Sequence, residues 1–174
     1  GMNMSTLWQK PDAEILFWVG CAGSFDSRYV KVTQAWSRIL QQAGVSFAIL
    51  GVEEKCTGDS ARRIGNEYLA QILMKENIAT LNNYNVKSIV TACPHCFNTL
   101  RNEYPQFGGN YKVVHHTDFL VQLMNEGKIK ITKEQELDGT IKVARSDIYG
   151  GRIVPFVPFT KLDGDVIKGT HNQR

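Results

Sequence analysis

Hydrophobic positions in this chain fall into short apolar runs separated by longer stretches with a helical period. Ile15-Leu-Phe-Trp-Val-Gly20 is an unbroken run of strand length, and Val32, Ala35, Trp36, Ile39, Leu40 and Ala43 after it have the spacing of one helix face. Gly44 closes that helix, and Ser46-Phe-Ala-Ile-Leu-Gly51 is a second apolar run ending in glycine, as a buried parallel strand would. A second helix is expected to start at Asp59 or Ser60, to turn Ile64, Tyr68 and Ile72 inward and to run on towards Leu81. Ser88-Ile-Val-Thr-Ala92 predicts a third strand. Pro94 then suits the first turn of a helix reaching about Tyr104, Tyr111-Lys-Val-Val-His115 reads as a fourth strand, and Thr117 caps a last helix that Gly127 ends. This alternation is α/β: a mostly parallel, Rossmann-like sheet of about four strands with helices on both faces.

Length and composition narrow the classes of function. A chain of 174 residues suits one domain, and 43% hydrophobic with 21% charged residues favours neither disorder nor a membrane protein. The longest strongly apolar run, Ile15 to Gly23, is far too short to span a bilayer, and the start of the chain shows no secretory signal. Twenty basic and seventeen acidic residues leave a net charge of +3, spread without a basic block, which gives nucleic-acid binding no support. Four cysteines are too few for a disulfide scaffold, so a cytoplasmic setting with reduced thiols is expected, leaving metal binding, catalysis or packing as their role.

Their placement favours a shared site. Cys21 follows the first strand, Cys56 lies in the loop after the second, and Cys93 and Cys96 follow the third. In a parallel sheet all of these are carboxyl ends of strands, where open α/β folds build their sites. The spacing is Cys, 34 residues, Cys, 36 residues, Cys-Pro-His-Cys, and the short last gap lets both sulfurs bind one centre. Soft thiolates suit zinc or an iron-sulfur cluster, and spacing does not separate the two. Cys93-Pro-His-Cys96 alone also has the form of a metal-free dithiol oxidoreductase motif, although that role leaves Cys21 and Cys56 without a task.

Four stretches carry a resemblance: Val19-Gly-Cys-Ala-Gly-Ser-Phe-Asp26, Glu54-Lys-Cys-Thr-Gly-Asp59 with Ala61-Arg-Arg-Ile-Gly-Asn-Glu-Tyr68, Thr91-Ala-Cys-Pro-His-Cys-Phe-Asn98, and Val114-His-His-Thr117. Over about residues 14 to 131 the chain resembles the cysteine-rich "CCG" domain found in heterodisulfide reductase and in related iron-sulfur oxidoreductases, among them lactate-utilisation proteins and anaerobic glycerol-3-phosphate dehydrogenase. The resemblance implies a [4Fe-4S] centre held by Cys21, Cys56, Cys93 and Cys96, a place in an electron-transfer chain and, in some relatives, reduction of a disulfide at the cluster. Three departures qualify it. Cys56-Thr57-Gly58 stands where two adjacent cysteines are common, so a four-thiolate cubane is expected rather than a five-thiolate, non-cubane cluster. Lys142-Val-Ala-Arg-Ser-Asp-Ile-Tyr-Gly-Gly-Arg152 has no cysteine where a second, tandem module would open. A preceding ferredoxin-like segment is also missing, so electrons are expected from an external carrier.

The domain reading is an arm over 1–13, an iron-sulfur module over 14–139, and a degenerate or truncated start of a second module over 140–174. There the proline-interrupted Val154-Pro-Phe-Val-Pro-Phe159 suggests an extended arm, and Gly169 to Arg174 a mobile end. The expected partners are a ferredoxin-like electron carrier and a homologous cysteine-rich module or a second copy of the chain.

Other residues at the same rim could serve the site indirectly. His115 and His116 end the fourth strand, so one could reach the centre as a ligand or proton donor or serve only as a hydrogen-bond or helix-capping contact, while His95 inside the dithiol motif and Thr57 beside Cys56 could tune the sulfurs. Arg62, Arg63, Asn66 and Glu67 could orient the Cys56 loop, bind an anion or form a solvated helix face. Gly20-Cys-Ala-Gly23 is not read as a dinucleotide loop, because the third glycine and the acidic residue after strand two are missing.

Overall fold

The computed structural model describes residues 4–130, 140–143 and 157–160. Four parallel strands, β1 (Ile15–Trp18), β2 (Phe47–Ala48), β3 (Ser88–Thr91) and β4 (Lys112–His115), form one sheet in the order β2-β1-β3-β4. The register sets Leu16 beside Ile89, Trp18 beside Thr91, and Thr91 beside His115, so the carboxyl ends of β1, β3 and β4 are level. All four residues of β1 are buried, as in an interior strand covered on both faces. Ile15, Phe17 and Val90 face a cluster with Trp36, Leu40, Phe119 and Leu123, contributed by α2 (Tyr29–Gln42) and α6 (His116–Asn125). Leu16, Trp18 and Ile89 alternate with them and are equally inaccessible, so the opposite face of the sheet is closed too.

The helices depart from the sequence reading in instructive ways. In α2 the buried face is Thr33, Trp36, Ser37 and Leu40, while Val32 and Ala35 are exposed. The hydroxyls of Thr33 and Ser37 donate to the carbonyls of Gly23 and Thr33, at 3.1 and 2.9 Å, which lets polar residues pack against α1 (Gly20–Phe25). The expected helix from Asp59 to Leu81 is two helices, α3 (Asp59–Arg63) and α4 (Glu67–Asn83). Gly65, at φ +87°, breaks the run, and the Asn66 side chain caps α4 by accepting from the Leu69 N–H at 3.1 Å. This resets the helical phase. Ile64 and Tyr68 are therefore 83% and 80% exposed instead of inward, and Ala70, Met74, Asn77, Ile78 and Leu81 are buried.

The third helix, α5 (Pro94–Asn98), continues as a π-helical turn over Thr99–Glu103 and a tight 3-10 turn over Tyr104–Phe107. Thr117 does not cap α6. His115 occupies the cap position, and the Thr117 hydroxyl bonds the His115 ring at 2.8 Å instead. The amino-terminal arm is tied down, with the Leu7 N–H donating to Ile49 O at 2.8 Å and the Ile49 N–H to Ser5 O at 3.0 Å.

The chain divides into two compact units, Gly1–Lys130 and Ile131–Arg174. In the second, β5 (Thr140–Val143) pairs antiparallel with β6 (Val157–Thr160), and Lys142 stands opposite Pro158. A two-stranded pairing has only edges, where proline is admitted. Part of the expected extended arm is thus a strand; residues 154–156 and the end read as mobile, 169–174, lie outside the described residues. Among the described residues no helix is long and apolar enough to cross a membrane.

His116 makes the core sensitive to acid. Its ring packs edge-on against Trp36 with centroids 5.6 Å apart, and its Nδ1 has no partner. Burial, with help from the adjacent His115 and against the pull of Asp118, pushes its pKa down from 6.5 to about 4. The unfolded chain then takes up a proton that the folded chain refuses, so stability present above pH 6.5 falls as the pH drops towards 4. His116→Phe is expected to flatten this part of the acid profile, measured as urea midpoints of metal-free protein across that range.

Candidate metal centre

The rim at the carboxyl ends of the strands carries all four cysteines, and all are free thiols. Cys21 is exposed on α1, and Cys56 is half-buried in the loop between the 3-10 turn Gly51–Glu53 and α3. Both line one cleft of about 590 Å³, together with Gly20, Glu54, Phe25 and Val52. Cys93 is the half-buried residue that caps α5, and Cys96 is buried one turn on. Gly20 lies between the two pairs: a Cβ built there would stand 3.2 Å from the Cys96 sulfur and 3.9 Å from Cys93 Cβ. Its φ of +77° also lies in the left-handed region that favours glycine.

The loops are joined by side chains on either side of Cys56. Glu54 accepts the Val19 N–H at 3.0 Å and the Gly20 N–H at 2.6 Å, fixing the Cys56 loop to the start of α1. Burial pushes the Glu54 pKa up to about 7, against the two N–H bonds that favour its charged form. On the other side, buried Glu103 accepts from both Arg62, at 2.9 Å, and Arg63, while Arg63 also pairs with Asp59 at 3.0 Å. The Thr99 hydroxyl donates to Asp59 at 3.2 Å, so the π-helical turn after Cys96 is tied to α3. Asn77 donates to Cys56 O at 2.9 Å and to the Tyr104 hydroxyl at 3.1 Å, and Tyr104 donates to Thr57 O at 3.3 Å.

Electrostatics separates the last two cysteines. The Cys93 sulfur accepts the Cys96 N–H at 3.5 Å. Its hydrogen bond with the Cys96 thiol, outweighing burial and aided by N–H groups at the start of α5, pulls the Cys93 pKa down to about 5. Cys96 is pushed up by that same bond to Cys93, by burial and by the negative charges of Cys93 and Glu54.

The other expected site residues have definite positions. Thr57 is buried beside the cluster of bonds from Asn77 and Tyr104. His95 is exposed on α5. His115 bonds Ala92 O at 3.2 Å, next to Cys93, and the Thr117 hydroxyl, so both ring nitrogens are engaged. His116 faces Trp36 instead. Arg62, Arg63 and Glu67 form ion pairs and Asn66 caps α4, so the group joins α3 to the start of α4 and, through Glu103, to the π-helical turn. Glu54, Gly20, Asn77, Tyr104 and Glu103 escaped the sequence reading as supports of the site. Glu54 and Gly20 lie inside the stretches that carry the family resemblance, but that signal gives no partner, and partners so distant along the chain leave no local pattern.

The fold and this rim define a cysteine-rich α/β module with a thiol site at the strand ends. The pattern of the CCG cysteine-rich domain matches residues 15–101, and the chain belongs to that family. It is 56% identical over 120 residues, 69% of its length, to EtfAB:quinone oxidoreductase of Syntrophomonas wolfei, of which it covers 17%. It is 49% identical over 117 residues to a Bacillus subtilis protein named "Probable iron-sulfur-binding oxidoreductase FadF", covering 67% of this chain and 17% of that one. With one of the subunits of the dihydromethanophenazine:CoB--CoM heterodisulfide reductase of Methanosarcina barkeri it shares 31% identity over 138 residues, 72% of this chain and 33% of the relative. The chain thus spans between about a sixth and a third of the length of these relatives. No solved structure matches it.

Two outcomes follow from this geometry. Gly20→Ala is expected to cost roughly 1–2 kcal/mol from left-handed strain alone, and more where the new methyl meets Cys96, read as a lowered urea midpoint. In metal-free protein, alkylation of Cys93 is expected to reach half its limiting rate well below the pH at which an ordinary thiol does, because its bond with Cys96 and the N–H groups of α5 lower its pKa, followed by mass spectrometry of the modified peptide.

Proposed function

We propose that the chain is an iron-sulfur electron-transfer or oxidoreductase module that holds a [4Fe-4S] cluster with Cys21, Cys56, Cys93 and Cys96. The observation that carries this reading is the meeting of three cysteine-bearing loops around Gly20, with Cys21 and Cys56 sharing one cleft and Cys96 against the glycine's other side. The donor set fits the group: four free thiols, no competing disulfide, and soft sulfur ligands throughout. Four thiolates also suit a structural zinc ion, and iron and zinc analysis of the reconstituted protein separates the two. The names of the relatives, which include iron-sulfur and heterodisulfide reductase proteins, support the same reading.

When bound, such a cluster supplies one-electron transfer. The protein's own contributions can be stated separately. The Cys96 N–H stabilises negative charge on the Cys93 sulfur, and His115 fixes the backbone just before Cys93 through Ala92 O. Thr57 in the second position of the motif leaves the thiolate count at four, in keeping with a cubane. Cys21, exposed at the rim, is the ligand nearest to solvent and to an electron carrier such as a ferredoxin-like protein. A homologous cysteine-rich module or a second copy is the further partner of this reading, and a cytoplasmic setting keeps the thiols reduced.

A specific observation favours a second reading, a metal-free dithiol-disulfide oxidoreductase: Cys93 caps α5 and bonds its pair partner, the arrangement of a nucleophilic thiol. Anaerobic reconstitution with iron and sulfide separates the two. The first reading expects about four irons per chain and a cluster signal in electron paramagnetic resonance, both lost in Cys21→Ser and in Cys56→Ser. Absence of bound iron in the wild type, with disulfide exchange that survives those two substitutions, would establish the second.

A further inference from the structure

We infer that Glu54 is the positioning residue that sets the separation of Cys21 and Cys56 and holds Gly20 against Cys96. The inference rests on the cluster reading above and assigns a role to a residue that donates no ligand to it. Glu54 stands two positions before Cys56, and its two carboxylate oxygens take the N–H groups of Val19 and Gly20, immediately before Cys21. Among the described residues these are the only side-chain hydrogen bonds between the loop after β1 and the loop after β2. One of the two bonded residues is Gly20, which approaches the Cys96 sulfur so closely that a Cβ would be crowded. A single carboxylate therefore ties two cysteine loops together and seats the backbone that abuts the third.

A bidentate carboxylate does this in a way that packing alone would not. Two charge-assisted bonds from adjacent amides fix both the distance and the rotation of the peptide unit between them. An isosteric amide has one acceptor oxygen, and its NH₂ group would face the second N–H donor to donor. Glutamine thus preserves the volume of the side chain while removing half of the tether. That difference separates positioning from space filling.

The test compares wild type with Glu54→Gln and Glu54→Ala. In metal-free protein, the Gly20 amide is expected to exchange with solvent about tenfold faster in Glu54→Gln, and Cys21 alkylation to change with it. In anaerobically reconstituted protein, both variants are expected to lose iron to a chelator roughly 10- to 100-fold faster than wild type, with glutamine between wild type and alanine. The cluster remaining in Glu54→Gln is expected to show altered g-values and a shifted midpoint potential. Should Glu54→Ala fail to fold, Glu54→Gln decides alone. Unchanged amide exchange, Cys21 alkylation, iron retention and potential in Glu54→Gln would overturn the inference, because the side-chain volume is conserved. Failure of the wild type to take up iron would instead overturn the cluster reading, and the exchange and alkylation measurements would still decide whether Glu54 tethers the loops.

Discussion

Three loops can meet at the rim of this sheet because the residue at their meeting point has no side chain. Gly20 turns the chain out of β1 at a left-handed φ, gives its N–H to Glu54 from the second loop and leaves its Cα face to the Cys96 sulfur of the third. Any other residue would meet conformational strain and crowding at once. Both contacts at this point engage the Gly20 backbone: a side-chain carboxylate takes its N–H and a side-chain sulfur lies close to its Cα. The parallel sheet brings the loops to one rim; Gly20 determines how near they come.

The Cys56 loop is restrained on its other flank as well, and the energetics there point to orientation more than to net stability. Glu103 is buried with two guanidinium groups upon it, so its charge is compensated where it would otherwise be costly. Arg63 is half exposed, and an ion pair in contact with water adds little stability of its own. What the group accomplishes is geometric. Asp59 is held by Arg63 and Thr99, so the helix after Cys56 and the π-helical turn after Cys96 move as one piece. Asn77 and Tyr104 donate to the carbonyls of Cys56 and Thr57, which satisfies these two acceptors of the loop.

Much of this was legible in the sequence, and the misses share a cause. Apolar runs of strand length located β1, β3 and β4, and glycines marked the helix ends at Gly44 and Gly127, both of which take positive φ. The cysteines could be assigned to one rim because that step needs only strand direction. Helix phase was harder to read. Ile64 and Tyr68 follow the inward period only if the helix is unbroken, and Gly65 with Asn66 restarts it. Thr33 and Ser37 are buried polar residues whose hydroxyls bond within their own surroundings, which an apolar pattern does not register. Glu54 and Glu103 act through partners 34 to 41 residues away, and contacts of that range exist only once the chain has folded.

The two ends of the site use their backbone N–H groups differently. At the start of α5, the N–H of Cys96 is turned on the Cys93 sulfur and favours negative charge there. At the start of α1, the N–H groups of Val19 and Gly20 are taken by Glu54, so the first loop offers Cys21 no such donors from these residues and adds a carboxylate to its surroundings. Within the Cys93–Cys96 pair, negative charge is supported on Cys93 and opposed on Cys96, where burial and the charges of Cys93 and Glu54 act together. The pair therefore has a direction, with charge favoured on the half-buried Cys93 and disfavoured on the buried Cys96. That polarity is a property of the folded chain, and it exists before any ligand is bound.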